Sequence, residues 1–213
     1  HYSYSDLTSE IYLNSGGLDF SVGGSQKMGE PGNFTGTFTA SVKVLYEKLD
    51  FAFEMLEEIL LRSKLTDEKR LGEILDETMS RARMRLENSS HSSAAMRAAS
   101  YYSPLSSFYD RTGGIGFYQF LEKITERCSK EEGYRLKLGK KLMEVAKTLF
   151  TASNMTVSYT ADEEGYGRLP AALAAFKAVL PEGNGIRYPY EFKPELKNEG
   201  FRTASQVNYV ARC

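Results

Sequence analysis

Apolar positions open the chain in helical rhythm, Tyr2, Tyr4, Leu7 and Ile11, which predicts a helix over 3–13 capped by Ser3 or Ser5. Asn14, Ser15, Gly16 and Gly17 suit a left-handed helix end. Leu18, Phe20 and Val22 then alternate with polar residues, and the same period of two returns over 34–46. The glycine- and charge-rich 23–32 reads as the connecting hairpin tip, so two neighbouring antiparallel strands are expected. In the middle the period lengthens to three and four. Leu49, Phe53, Leu56 and Leu60 predict a helix over 49–62, and a second follows over 67–87, capped by Thr66 with Asp67 and Glu68 in its first turn. Residues 88–93 interrupt that stripe; 94–102 resumes as a small-residue helix stopped near Pro104. Helices are expected at 117–128 and 131–150, the second opened by the capping-box pattern Ser129-x-x-Glu132. Met155, Val157 and Tyr159 alternate as a strand, 169–180 reads as an alanine-rich helix, and 201–213 alternates as a new strand after a Pro- and Gly-bearing linker. The order of elements predicts an α+β fold, with helices packed on one face of an antiparallel sheet.

Composition changes this picture little. Hydrophobic residues make up 41% of 213, enough for a real core. Lys+Arg 27 against Asp+Glu 28 lacks the basic excess of a nucleic-acid binder, so no such partner is expected. No apolar run is long enough to cross a bilayer as a helix, and no membrane partner is expected. Two cysteines, Cys128 and Cys213, stand outside any CxxC or Cys/His cluster and suit a reducing, cytoplasmic setting, or an organelle matrix. Both ends of the chain read as cut from something longer.

Chemistry is sparse. The two histidines, His1 and His91, belong to neither HExxH nor HxxEH, so no metal ligands and no catalytic residues are assigned. The glycines at 113, 114 and 116 precede a helix, but no strand enters that loop and no Lys-Ser/Thr follows, so they read as a plain helix connection. His91 is either a substrate hydrogen-bonding group or a polar residue at a helix junction. Arg81, Arg83, Arg85 and Arg97 form either a basic surface for peptide groups or a solvated helix face.

Several stretches nevertheless resemble one family in colinear order: 2–11 with 15–18, 80–89 with Ser90-His91 and 94–98, 114–122, 154–161 with Leu180-Pro181, and 206–210. They are similar to the presequence-protease (falcilysin-like) branch of the pitrilysin/insulinase zinc peptidases. The resemblance implies a segment of the C-terminal half: 1–185 as most of a ferredoxin-like third domain lacking its opening strands, 186–200 as linker, and 201–213 as the first strand of the fourth. It implies a parent endopeptidase that degrades unfolded peptides in a closed chamber. Zinc would be held by the N-terminal half through HxxEH and a downstream Glu, leaving this segment as chamber wall and scaffold. His91 and Arg97 are then the candidate chamber contacts, and the N-terminal half and peptide substrates the partners. Arg202 and Tyr209 are spaced like a substrate-contacting pair of the insulin-degrading members; in this branch that pair lies further downstream, so the role is not carried over. A zinc-free structural, assembly or peptide-binding member of the superfamily is the alternative, and an unrelated α+β interaction domain a third. Missing strands would leave open sheet edges, so either self-association, through a sheet edge or 201–213, or a terminal segment lying loosely on the surface is expected.

Overall fold

The computed structural model describes residues 2–30, 32–183, 189–202 and 207–213. In chain order they form α1 (Tyr4–Asn14), β1 (Gly17–Gln26), β2 (Phe34–Lys43), α2 (Leu49–Arg62), α3 (Glu68–Asn88), α4 (Ser90–Ala99), α5 (Pro104–Gly113), α6 (Ile115–Lys130), α7 (Tyr134–Leu149) and α8 (Glu163–Val179). Short 3-10 turns lie at Tyr46–Lys48 and Ala152–Asn154. The strands pair as one antiparallel hairpin. Its base is closed by the Gly16 N–H donating to Lys43 O at 2.7 Å, its tip by the Lys27 N–H donating to Asn33 O at 3.0 Å. The fold is therefore α+β, with a two-stranded sheet among the described residues. The chain divides into two compact units, 1–21 with 39–66 and 138–188, and 22–38 with 67–137 and 189–213; the hairpin and α7 contribute to both.

In the first unit, Leu56, Phe176 and Leu180 are buried against Leu18 and Phe20 of β1 and Ala40 and Val42 of β2. The alternation read from sequence puts these four on one face of the hairpin base. Phe53 of α2 meets Phe176 of α8 with ring centroids 5.1 Å apart. α8 begins at Glu163, earlier than its apolar pattern suggests, because Asp162 caps it by accepting from the Gly165 N–H at 2.9 Å. The same carboxylate accepts from the Tyr46 hydroxyl at 2.5 Å, and the helix absorbs Pro170 in its interior.

In the second unit α3 packs on α6, and α5 on both α4 and α6. α5 was not expected: Pro104 reads as a stop for the preceding helix. It is also a starter, since the missing N–H costs nothing at the first helical position, and Ser103 completes the cap by accepting from the Ser106 N–H at 3.3 Å. α5 lies against the hairpin tip where glycines leave room. A Cβ on Gly24 would stand 2.7 Å from Leu105 Cδ1, and one on Gly36 3.2 Å from Phe108. The Tyr109 hydroxyl donates to Gly24 O at 2.7 Å.

Other local expectations are corrected. Asp67, not Thr66, caps α3, its side chain accepting from the Arg70 N–H. The Ser129 capping box does not form: α6 runs on to Lys130, Ser129 bonds back to Glu126 O, and the turn into α7 is made by Gly133 at φ 72. α1 ends on extended Ser15 rather than a left-handed residue. Residues 155–159 form no strand, because β1 and β2 pair only with each other; Met155 packs on the core and Tyr159 bonds locally to Gly165 and Tyr166. Within 201–213, residues 203–206 lie outside the described residues, and the remainder carries no regular element.

Two helical glycines separate packing from propensity. A Cβ on Gly139 in α7 would stand 2.5 Å from Leu65 O, whereas one on Gly167 in α8 meets nothing within 4 Å. Gly139→Ala is expected to cost about 1–3 kcal/mol despite better helix propensity. Gly167→Ala is expected to gain about 0.5–1 kcal/mol. Denaturant midpoints measure both, and equal shifts of the same sign would contradict the packing of α7.

Candidate functional site

The second unit holds a buried ion pair between α4 and α5. α4 is built almost wholly of small residues, Ser90, Ser92, Ser93, Ala94, Ala95, Ala98 and Ala99, which lets α5 come close. Its one long cation, Arg97, points into that contact. The Arg97 Nη1 donates to Asp110 Oδ2 at 2.6 Å, and Asp110 is only 2% exposed. The other Asp110 oxygen accepts from the Gly116 N–H at 3.2 Å. Two of the glycines of the helix connection, Gly114 and Gly116, make room for this carboxylate. A Cβ on Gly114 would stand 2.7 Å from Asp110 Oδ1, and one on Gly116 would strike Asp110 Oδ2. A buried carboxylate is tolerated only when paired and hydrogen-bonded, and here both conditions are met.

The rest of the Arg97 guanidinium faces 189–202. Its Nε donates to Glu199 Oε2 at 2.8 Å and its Nη2 to Glu199 Oε1 at 3.2 Å. Tyr101, one turn on, donates its hydroxyl to the same carboxylate. Hydrogen bonds from Arg97, then from Tyr101, hold the Glu199 carboxyl below its usual range against the opposing effect of burial. The Glu199 contact raises the Arg97 value further above its ordinary one, against partial burial, with Asp110 adding to the rise. The guanidinium also lies over the rings of Tyr101 at 5.4 Å and Phe201 at 5.9 Å.

A shallow cleft of about 890 Å³ opens in the same unit. Phe34 of β2, Tyr102, Ser103 and Pro104 at the α4–α5 connection, and Pro189, Tyr190, Phe192 and Pro194 form its walls. Tyr190 is fixed edge-on to Phe34 at 5.0 Å and by its hydroxyl to Ser107 Oγ at 3.1 Å. Such a surface takes apolar or prolyl side chains. Ser103 is engaged as the α5 cap, and the cleft lining includes no histidine or carboxylate.

Of the residues named from sequence, His91 is exposed on α4 with its ring 5.8 Å from that of Tyr209. Arg97 is part-buried with its donors taken. Six residues apart, the two lie roughly 120° apart around the helix and do not meet. Sequence reading missed Asp110 and Glu199. For Asp110 a signal existed, an acid followed four and six residues later by glycine. Glu199 acts across 102 residues of sequence and leaves no local trace. Among the described residues no group of three His, Cys, Asp or Glu is placed to hold a metal ion, and no helix is long and apolar enough to cross a membrane.

Among known proteins, the family model described as peptidase M-16C associated matches residues 1–124. The chain is 26% identical over 212 residues to Protein HypA of Clostridium perfringens (strain 13 / Type A), covering 100% of this chain and 21% of that protein. It is 24% identical over 173 residues to presequence protease 1, chloroplastic/mitochondrial, of Arabidopsis thaliana, covering 80% and 16%. To the mitochondrial presequence protease of Yarrowia lipolytica (strain CLIB 122 / E 150) it is 30% identical over 145 residues, covering 68% and 14%. The chain thus spans 21% or less of the length of these relatives.

The carboxylate cradle makes a sharp test. Gly116→Ala, near the start of α6, is expected to cost about 2–4 kcal/mol by displacing Asp110 from its partners. Gly113→Ala, whose Cβ would meet only Arg85 Nη1 at 3.5 Å, is expected to stay within about 1 kcal/mol of the wild type. Thermal or denaturant unfolding reports both; a tolerated Gly116→Ala would contradict the cradle.

Proposed function

The chain belongs to this peptidase-associated family, and from that premise we propose that it is a scaffold and chamber-wall segment of a zinc-dependent endopeptidase. The observation that carries this reading is the family match over α1 to α6, joined to similarity in order with two presequence proteases. The parent enzyme degrades unfolded peptides enclosed between its halves, and this segment belongs to the half that does not hold the metal. Among the described residues no group of histidine, cysteine, aspartate or glutamate side chains is placed to hold zinc. Zinc in the N-terminal half would supply the activated water.

In this reading the hairpin is part of a larger ferredoxin-like sheet, 186–200 links this domain to the next, and 201–213 opens that next domain. His91, exposed on α4, is a peptide-contacting group of the chamber wall. Arg97 contributes by holding the wall in shape, since its donors are committed to Asp110 and Glu199. The compartment in this reading is the cytoplasm or an organelle matrix; two relatives are named as mitochondrial or chloroplastic/mitochondrial.

The full-length protein is expected to carry stoichiometric zinc and to cut unfolded peptides in a chelator-sensitive way, while 1–213 alone does neither. His91→Ala in the full-length enzyme is expected to raise KM roughly three- to tenfold with kcat unchanged, the mark of a lost binding contact. A full-length protein that binds peptides but neither holds zinc nor cleaves them would overturn the peptidase reading in favour of a zinc-free assembly or binding role.

A further inference from the structure

We propose that residues 189–202 are a strap, anchored at Tyr190, whose distal part is held by one ionic latch, Glu199 on Arg97, and that releasing the latch frees the Pro194 edge of the aromatic cleft. The strap is fastened at three points. Tyr190 anchors its start through Phe34 and the hydroxyl bond to Ser107, itself buried. In the middle the Glu195 N–H donates to Tyr101 O at 2.9 Å. At the far end Glu199 takes two donors of Arg97 and the Tyr101 hydroxyl.

Beyond the half-buried Phe192 no apolar residue of the strap is buried. Residues 193–202 are all exposed, and Leu196 is as open as a free side chain. A segment without buried apolar contacts opens locally at a free-energy cost set by its few polar bonds. Glu199 is the strongest of these, because its acceptor is charged, its donor is a rigid fork, and the fork is only 16% exposed. Arg97 itself cannot follow the strap away, since Asp110 holds its Nη1 inside the helical unit. The latch therefore has a fixed half and a movable half. Pro189, Tyr190 and Phe192 line the cleft on the anchored side, and Pro194, beside Glu195, lines it on the movable side, so the movable half carries that edge of the cleft.

The charged groups around the latch are Arg97, Tyr101 and Asp110 on the helices, Glu195 and Lys197 on the strap, and Arg111 beside Glu195. With Glu199 held below its ordinary value of 4.5, the latch is fully present above that pH and is lost as pH falls through the lower docked-state value.

The Glu195 amide reports the docked state by its hydrogen exchange. In the full-length protein near neutral pH, Glu199→Gln is expected to speed that exchange about tenfold or more, while protection in α3 and α6 stays unchanged. Lys197→Gln, which removes the exposed pair with Glu195 and the smallest of the attractions on Glu199, is expected to stay within about twofold. After correction for intrinsic rates, acidification from neutral pH to below the ordinary carboxyl value of 4.5 is expected to loosen the wild-type strap progressively and to leave Glu199→Gln unaffected. Unchanged protection at Glu195 in Glu199→Gln, or loss of protection there together with α3 and α6, would overturn the latch; the second outcome would make this contact part of the global fold.

Discussion

A carboxylate with almost no access to water is the constraint on which the helical unit depends. Asp110 sits where α4, α5 and the start of α6 meet, and its burial would cost several kcal/mol if either Arg97 or the Gly116 amide were absent. Meeting that demand explains otherwise unrelated choices: the small-residue surface of α4, the glycines at 114 and 116, and the orientation of the one long cation on α4. A hydrophobic pair of similar volume could fill the space with equal stability. What a charge pair adds is direction, because the guanidinium that satisfies Asp110 must present its remaining donors elsewhere.

Those donors are what reach the strap. The same arginine thus joins the packing of the helices to the position of 189–202, and through Pro189, Tyr190, Phe192 and Pro194 to the shape of the cleft. Rigid helices carry the fixed half of each contact, and a chain with little apolar burial carries the half that can move.

Much of this fold was legible in the residues. The stripe Leu49, Phe53, Leu56 and Leu60 marks α2 to the residue, and the change of period places the hairpin and α3 within a few positions. What misled were signals with two meanings. Pro104 stops one helix and starts another, and Ser129-x-x-Glu132 has the form of a cap but straddles the end of α6, which runs on to Lys130. The alternation at 155–159 has no partner strand, so its period records one contact of Met155 with the core and nothing more. The site was half visible. Arg97 stood out as a cation, but its partners lie 13 and 102 residues away, and only tertiary packing brings them together.

The most direct test of this account is a double-mutant cycle between Arg97 and Asp110, using Arg97→Met and Asp110→Asn and measuring unfolding free energies. A shared buried pair should couple by about 2 kcal/mol or more, with the double variant more stable than the two single losses would sum to. A coupling near zero would mean that the two residues act independently, and that the buried carboxylate does not organise the helices or hold the fixed half of the latch.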